Sequence, residues 1–280
     1  MSSAPKTLEV PGYQVMEFLG SGARSTIWRV RDVRNGKYCA LKRVIKRQSS
    51  DSRFLEQAIN EYNVASSLDH DVIRRVHRLR RVKHWLSLRE IHLLMEFCEG
   101  KTLQERRPKA VRHVVGIYAQ VADGLVHMNT RGYVHADTKP NNILVASDGT
   151  VKLIDLGQSC PLGAVKQRIQ GTPDFIAPEQ VRRNPLDART DVFNFGAAMY
   201  WTLTGKAIPT ALPKTNGVAL KADMAIVPPE QINPEVTLPI SKLIRDCIEP
   251  LPSRRPASMK EVSSRLALVA HTLNKAAEQQ

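Results

Sequence analysis

The chain has 280 residues, of which 42% are hydrophobic, so it can bury a substantial core in one large domain or two apposed lobes, and general disorder is not expected. Lys and Arg number 41 against 27 Asp and Glu, a net charge of +14 that attracts polyanions and acidic protein partners. No helix-turn-helix or zinc-finger spacing accompanies that charge, so nucleic acid is not an expected partner.

The first residues are polar and lack the apolar stretch of a signal peptide, and no later run reaches the uninterrupted apolar length that crosses a bilayer. A chain without a transmembrane segment is expected. Cys39, Cys98, Cys160 and Cys247 are scattered and form no CxxC pair, which points to a reducing, cytoplasmic setting. Cys39 and Cys247 sit among apolar neighbours, whereas Cys160 falls in a polar stretch where an exposed thiol is expected.

From residue 13 to 45 short β-type runs alternate with turn signals: 15–19, then Gly20 and Gly22, 27–33, then Asn35-Gly36, and 38–45. This pattern predicts an antiparallel meander. Residues 53–68 carry Phe54, Ala58, Tyr62, Ala65 and Leu68 at helical spacing, one helix to pack on that sheet. Strands over 72–82 and 91–97 complete a small first lobe. The basic residues Arg74, Arg75, Arg78, Arg80, Arg81 and Lys83 of that stretch read as a solvated face.

After Gly100 the periodicity turns helical, with Val111, Val114, Tyr118, Val121 and Leu125 defining a long helix. A short hairpin, 143–145 with 151–154 through Asp148-Gly149, delivers Asp155 at its end. Residues 190–203 are apolar on nearly every side and stop at Gly205, a helix for the centre of a helical lobe. Ser258 and Glu261 open a last helix with Val262, Leu266, Val269 and Leu273 on one face. The fold class is therefore α+β: an antiparallel-sheet lobe with one helix, then a larger, mainly helical lobe, with an expected cleft between them.

The chemistry-bearing residues gather where such a cleft would have its edges. Small residues around Gly20 and Gly22 let backbone N–H groups close over phosphate oxygens. Lys42, inside an otherwise apolar strand, requires a charged partner, and the helix supplies Glu61 on the face of Ala58 and Ala65.

The stretch His135-Ala136-Asp137-Thr138-Lys139-Pro140-Asn141-Asn142, followed by Asp155-Leu156-Gly157, resembles the catalytic and magnesium loops of the protein kinase superfamily. Gly171-Thr172-Pro173-Asp174-Phe175-Ile176-Ala177-Pro178-Glu179 and Asp191-Val192-Phe193-Asn194-Phe195-Gly196 are similar to its activation-segment end and its buried helix. This resemblance implies a bilobal kinase fold: an extension at 1–12, a kinase domain at 13–270 with lobes at about 13–97 and 101–270, and a tail at 271–280.

The resemblance further implies an ATP-dependent serine/threonine protein kinase of the Hanks type with protein substrates, and the ending Ala177-Pro178-Glu179-Gln180 and the compact linker look like bacterial members. Asp137 would be the base, Lys139 would steady the migrating charge, and Lys42 with Glu61 would orient the phosphates. Asn142 and Asp155 would hold Mg2+, or Mn2+ in its place. ATP would contact Leu19, Gly20, Gly22, Ile27, Ala40, Met95, Glu96, Cys98, Thr102 and Leu144. Glu179 and Arg255 match an ion pair that braces the large lobe.

Three departures stand out: Ser25 at the third glycine position, the compressed stretch 102–108, and Ala136 where the family has arginine. That arginine receives a phosphate on the activation segment in many kinases, and residues 161–170 contain no Ser, Thr or Tyr. Receptor and acceptor are absent together, so control by segment phosphorylation is not expected. The alternative is a pseudokinase or scaffold, against which the retained Lys42, Asp137, Asn142 and Asp155 argue. A kinase-fold small-molecule phosphotransferase is disfavoured by the segment 171–179.

Overall fold

The computed structural model describes residues 8–209 and 226–278. The first seven residues of the expected 1–12 extension, residues 210–225 of the second lobe and the last two of the tail lie outside the described residues. The chain divides into two compact units, one reaching Asp69 and including Arg74–Glu99, the other formed by His70–Ile73 and the chain from Gly100.

In the first unit, strands β1 (Tyr13–Ser21), β2 (Ser25–Asp32), β3 (Tyr38–Ile45), β4 (Val76–His84) and β5 (Ser87–Glu96) form an antiparallel sheet in the order β1-β2-β3-β5-β4. Helix α1 (Ser52–Ser66) lies on one face. The period of two assigns the faces. Ala40, Val44, Ile91, Leu93 and Met95 pack with Leu55 and Ala58 of α1, while Val30, Leu41 and Leu94 pack on the other side with Leu8. Lys42, between Ala40 and Val44 on the same alternation, is thereby directed to the α1 face.

Two expectations require correction here. The strand expected over 72–82 begins only at Val76, because Val72 and Ile73 belong to the second unit. Ile73 forms a parallel bridge with Leu153, whose N–H donates to the Val72 carbonyl, and the Val72 side chain packs against Gly124. Two β-branched residues look alike in either setting, so local pattern could not separate them. The basic run is also not uniformly solvated. Arg78, Arg80, Arg81 and Lys83 are exposed, but Arg74 is buried and donates to Glu61.

The second unit contains β6 (Lys101–Thr102), α2 (Val111–Thr130), β7 (Tyr133–Val134), β8 (Ile143–Val145), β9 (Val151–Leu153), β10 (Cys160–Pro161), α3 (Pro178–Arg182), α4 (Ala188–Thr204), α5 (Pro229–Ile232), α6 (Leu238–Cys247) and α7 (Met259–Glu278). Strands β6, β8 and β9 form a three-stranded sheet, and β10 pairs with β7.

Helix α4 is buried over nearly its whole length. The Asp187 carboxylate caps it by accepting from the Arg189 N–H at 2.8 Å, and Gly205, at φ 72°, ends it in a left-handed conformation that costs glycine nothing. At Gly196 a side chain would place its Cβ 2.5 Å from that of Cys247, so the missing atom is what lets α4 meet α6. Tyr118 of α2 meets Phe195 edge-on at 5.2 Å and shares a 2.8 Å hydrogen bond with Thr202, which satisfies its buried hydroxyl. Val262 and Leu266 of α7 are fully buried, closing this core.

Candidate active site

In the first unit the Lys42 ammonium lies 2.7 Å from Glu61 Oε2. Glu61 is only 1% exposed, and its other oxygen accepts from Arg74 at 3.3 Å. A carboxylate so deeply buried is stable as an ion only with such partners. Sequence reasoning found the lysine but missed the arginine. Its available signal was a cation six residues beyond the last expected buried position of the helix, inside a run read as surface.

The glycine turn joins β1 to β2. Gly22 N–H donates to the Ser25 carbonyl at 2.9 Å, closing the turn around Ala23 and Arg24. Arg24 Nε in turn donates to Asp51 Oδ1 at 2.8 Å. Asp51 also accepts from the Arg47 and Gln48 N–H groups, and the Arg24 guanidinium first among these holds its carboxyl below the usual range. The turn is thus tied to the chain entering α1, a link that no sequence motif announced. Ile27 packs against the cluster containing Ala40 and the fully buried Met95, and Ala40 is the cross-strand partner of Met95. Leu19 is exposed. Glu96 donates its N–H to the Arg75 carbonyl, and its own carbonyl faces the Cys98 thiol at 3.8 Å.

In the second unit β7 runs into the loop that carries Asp137. The fully buried Asp191 of α4 holds this loop from beneath, accepting from His135 N–H at 3.0 Å, Ala136 N–H at 2.9 Å and Asn129 Nδ2 at 2.8 Å. Burial pushes the Asp191 carboxyl up, against the pull of these donors. Gln180 Nε2 donates to the Ala136 carbonyl at 2.7 Å from the other side. Together these bonds fix Ala136 at φ 61°, a conformation an alanine rarely adopts unaided.

The product of that constraint is the position of Asp137, 7% exposed. Lys139 Nζ donates to its Oδ2 at 2.8 Å, the Thr172 hydroxyl donates to its Oδ1 at 3.0 Å, and Lys139 also donates to Thr172 at 2.6 Å. Desolvation raises the Asp137 carboxyl above its ordinary value and outweighs the Lys139 ammonium, which pulls it down. This closed ring of carboxylate, ammonium and hydroxyl requires residues 35 positions apart in sequence.

Asn142 donates Nδ2 to the Asp137 carbonyl at 2.8 Å, which assigns its amide and leaves its oxygen as the atom suited to a hard cation. The Asn142 carbonyl accepts from Ile154 N–H at 2.9 Å, so the end of the β8–β9 hairpin is anchored beside it and carries Asp155, at φ 65°. Oxygen donors of this kind fit magnesium or manganese. Among the described residues no group of three or more His, Cys, Asp or Glu could hold a metal ion by itself. Leu144 lies in β8 opposite Lys152. Thr102 lies in β6, its hydroxyl and N–H both donating to Glu105.

Cys160 corrects an expectation. It is buried in β10, paired with Val134, and packs with Ala136, Leu186 and Ala164, while burial raises its thiol. A thiol held protonated in an apolar cluster is a packing group rather than an exposed, reactive one. The Glu179–Arg255 pair forms as expected, at 2.7 Å.

The sequence matches the protein kinase domain family over residues 13–266. It is 35% identical over 201 residues to the serine/threonine-protein kinase PknL of Mycobacterium tuberculosis, covering 69% of this chain and 49% of that protein. It is 26% identical over 266 residues to a Clostridium acetobutylicum protein named a probable serine/threonine-protein kinase, covering 92% of this chain and 40% of that one. The serine/threonine-protein kinase PrkC of Bacillus subtilis is 26% identical over 241 residues, 83% of this chain and 36% of that protein. The chain therefore spans less than half the length of these curated relatives. No helix among the described residues is long and apolar enough to cross a membrane.

Proposed function

The chain belongs to the protein kinase family, and on that premise we propose that it is a serine/threonine protein kinase transferring the ATP γ-phosphoryl group to hydroxyls of a protein substrate. The observation that carries this reading is the ring of Asp137, Lys139 and Thr172. Asp137 Oδ1 is held by a neutral hydroxyl, a partner that a substrate serine or threonine can replace without unpairing a charge. Lys139, anchored to the same carboxylate, is positioned to offset negative charge developing on the transferred group. Lys42, oriented by Glu61, holds the nucleotide phosphates, and Asn142 and Asp155 supply oxygen ligands for the divalent cation. Bound there, magnesium or manganese neutralises phosphate-oxygen charge.

The same reading extends to regulation. In place of a cationic phosphate receptor, Ala136 presents a methyl group, packed with Cys160 and Leu186. The segment that follows is zipped down by Leu162 N–H to Gly132 O at 2.9 Å, Gly163 N–H to Leu186 O at 2.7 Å and Leu186 N–H to Ala164 O at 3.0 Å. An apolar latch and backbone bonds supply the order that a phosphate supplies elsewhere, so activity is independent of phosphorylation of the activation segment.

The test is phosphotransfer from labelled ATP to a library of serine and threonine peptides, with Asp155→Ala as control, followed by phosphatase treatment and peptide mass spectrometry. Labelling above the control that survives the phosphatase is expected. Rates equal to the control would make the chain a binding module, and a segment phosphate required for activity would overturn the latch.

A further inference from the structure

The β4–β5 hairpin has no role in the chemistry above, yet it carries two features that belong together. From residue 72 to 89 there is no Asp or Glu, and Arg78, Arg80, Arg81, Lys83 and Arg89 are exposed. His84 pairs with Ser87, so the hairpin is closed by a turn of two residues, Trp85 and Leu86, which are 89% and 95% exposed. Two large apolar side chains displayed at a loop tip lose the burial that normally stabilises them.

The backbone makes the arrangement more specific. Two-residue hairpin turns favour glycine or asparagine because they need a left-handed residue. Trp85 occupies that position, at φ 56°. A bulky aromatic residue is here held in a conformation that disfavours it, with its side chain in water. Neither hairpin formation nor packing explains that choice.

We propose that the β4–β5 hairpin docks on an anionic phospholipid surface, Trp85 and Leu86 entering the interface and the arginines and Lys83 meeting the headgroups. Tryptophan favours the membrane interface and leucine the acyl region beneath it. At the rise of an antiparallel strand, Lys83 and Arg89 stand about 7–10 Å behind the tip, which matches the thickness of the headgroup layer an interfacial segment penetrates. The charge complementarity selects anionic over zwitterionic lipid. A nucleic acid would engage the same cations but gains nothing from Leu86 at the tip. The inference does not depend on the catalytic reading, because the hairpin lies in the first unit and uses none of the groups assigned to chemistry.

The experiment is co-sedimentation of the full chain with vesicles of phosphatidylcholine alone and of phosphatidylcholine mixed with phosphatidylserine, together with tryptophan emission. Binding to the mixed vesicles only, weakened by salt, with a blue shift that Trp85→Phe removes, is the expected result. Arg80→Ala and Arg81→Ala should each weaken binding about fivefold. The decisive variant combines Trp85→Asn with Leu86→Gly, a turn sequence suited to this backbone. It should melt at about 2–4 °C above the parent and no longer sediment with vesicles. Vesicle binding unchanged in that variant, absent in the parent, or replaced by preferential binding to an oligonucleotide or an acidic peptide would each overturn the proposal.

Discussion

Two buried ion pairs in the second unit use the same chemistry to opposite ends. Arg255 spends every N–H it has: Nε on the Glu249 carbonyl, Nη1 on Glu179 and the Arg189 carbonyl, and Nη2 on Glu179 and the Pro250 carbonyl. The Thr190 hydroxyl donates to Glu179 as well. Nothing in that network can be exchanged without leaving a buried donor empty, so it braces the fold. Asp137 is nearly as buried, but its carboxylate partners are all side chains, two of them reaching it by rotatable bonds from Lys139 and Thr172. Saturation marks the structural pair, and exchangeable partners with a raised carboxyl mark the pair proposed for chemistry.

The sharpest way to break this contrast is to neutralise each carboxylate or cation in turn. Asp137→Asn should lower kcat by about 10²–10⁴-fold while leaving the melting temperature unchanged or higher. The sign follows from the raised carboxyl: its folded form prefers the proton, so ionisation at neutral pH opposes folding, and asparagine removes that cost. A large loss of stability in Asp137→Asn would erase the distinction drawn above.

Arg255→Ala should do the converse, costing about 3–5 kcal/mol of unfolding free energy in denaturant titration by stranding the Glu179 charge. If the variant unfolds at the parental denaturant concentration yet loses activity, the pair is not a brace.

The smallest effect is on pH dependence. In the proposed role as base Asp137 acts ionised, and its carboxyl lies above the ordinary value, so kcat/KM should fall as pH is lowered through a point above the usual carboxylate range. Lys139 opposes that shift, so in Lys139→Met the acid limb should move to still higher pH, measured on whatever activity remains. An unmoved limb would assign the titration to another group.

Much of this was legible in the linear sequence, and the reasons are local. Strand β3 follows from its run after the Asn35-Gly36 turn and helix α4 from a stretch apolar on nearly every side that stops at Gly205, and Lys42 stood out because an ion inside an apolar strand demands a partner. The spacing from Asp137 through Asn142 to Asp155 is short enough for one loop and one hairpin to set. The readings that failed depended on neighbours far along the chain. Val72 and Ile73 read as the start of β4 because their docking against Leu153 and Gly124 leaves no local trace. Arg74 read as solvated because the carboxylate it donates to, Glu61, lies 13 residues back along the chain.

The amino-acid sequence by itself determined the inventory: which ions are available, in what order, and that Ala136 stands where the related family has arginine. Only the tertiary structure decided what each one does, since a charge acquires its role from the atoms that replace its water. Asp191 and Gln180 hold Ala136 in a left-handed conformation and so aim Asp137, and Thr172 arrives from another segment to complete its shell. The same methyl group packs beside a buried Cys160 and Leu186, a contact between distant segments that no sequence position could describe.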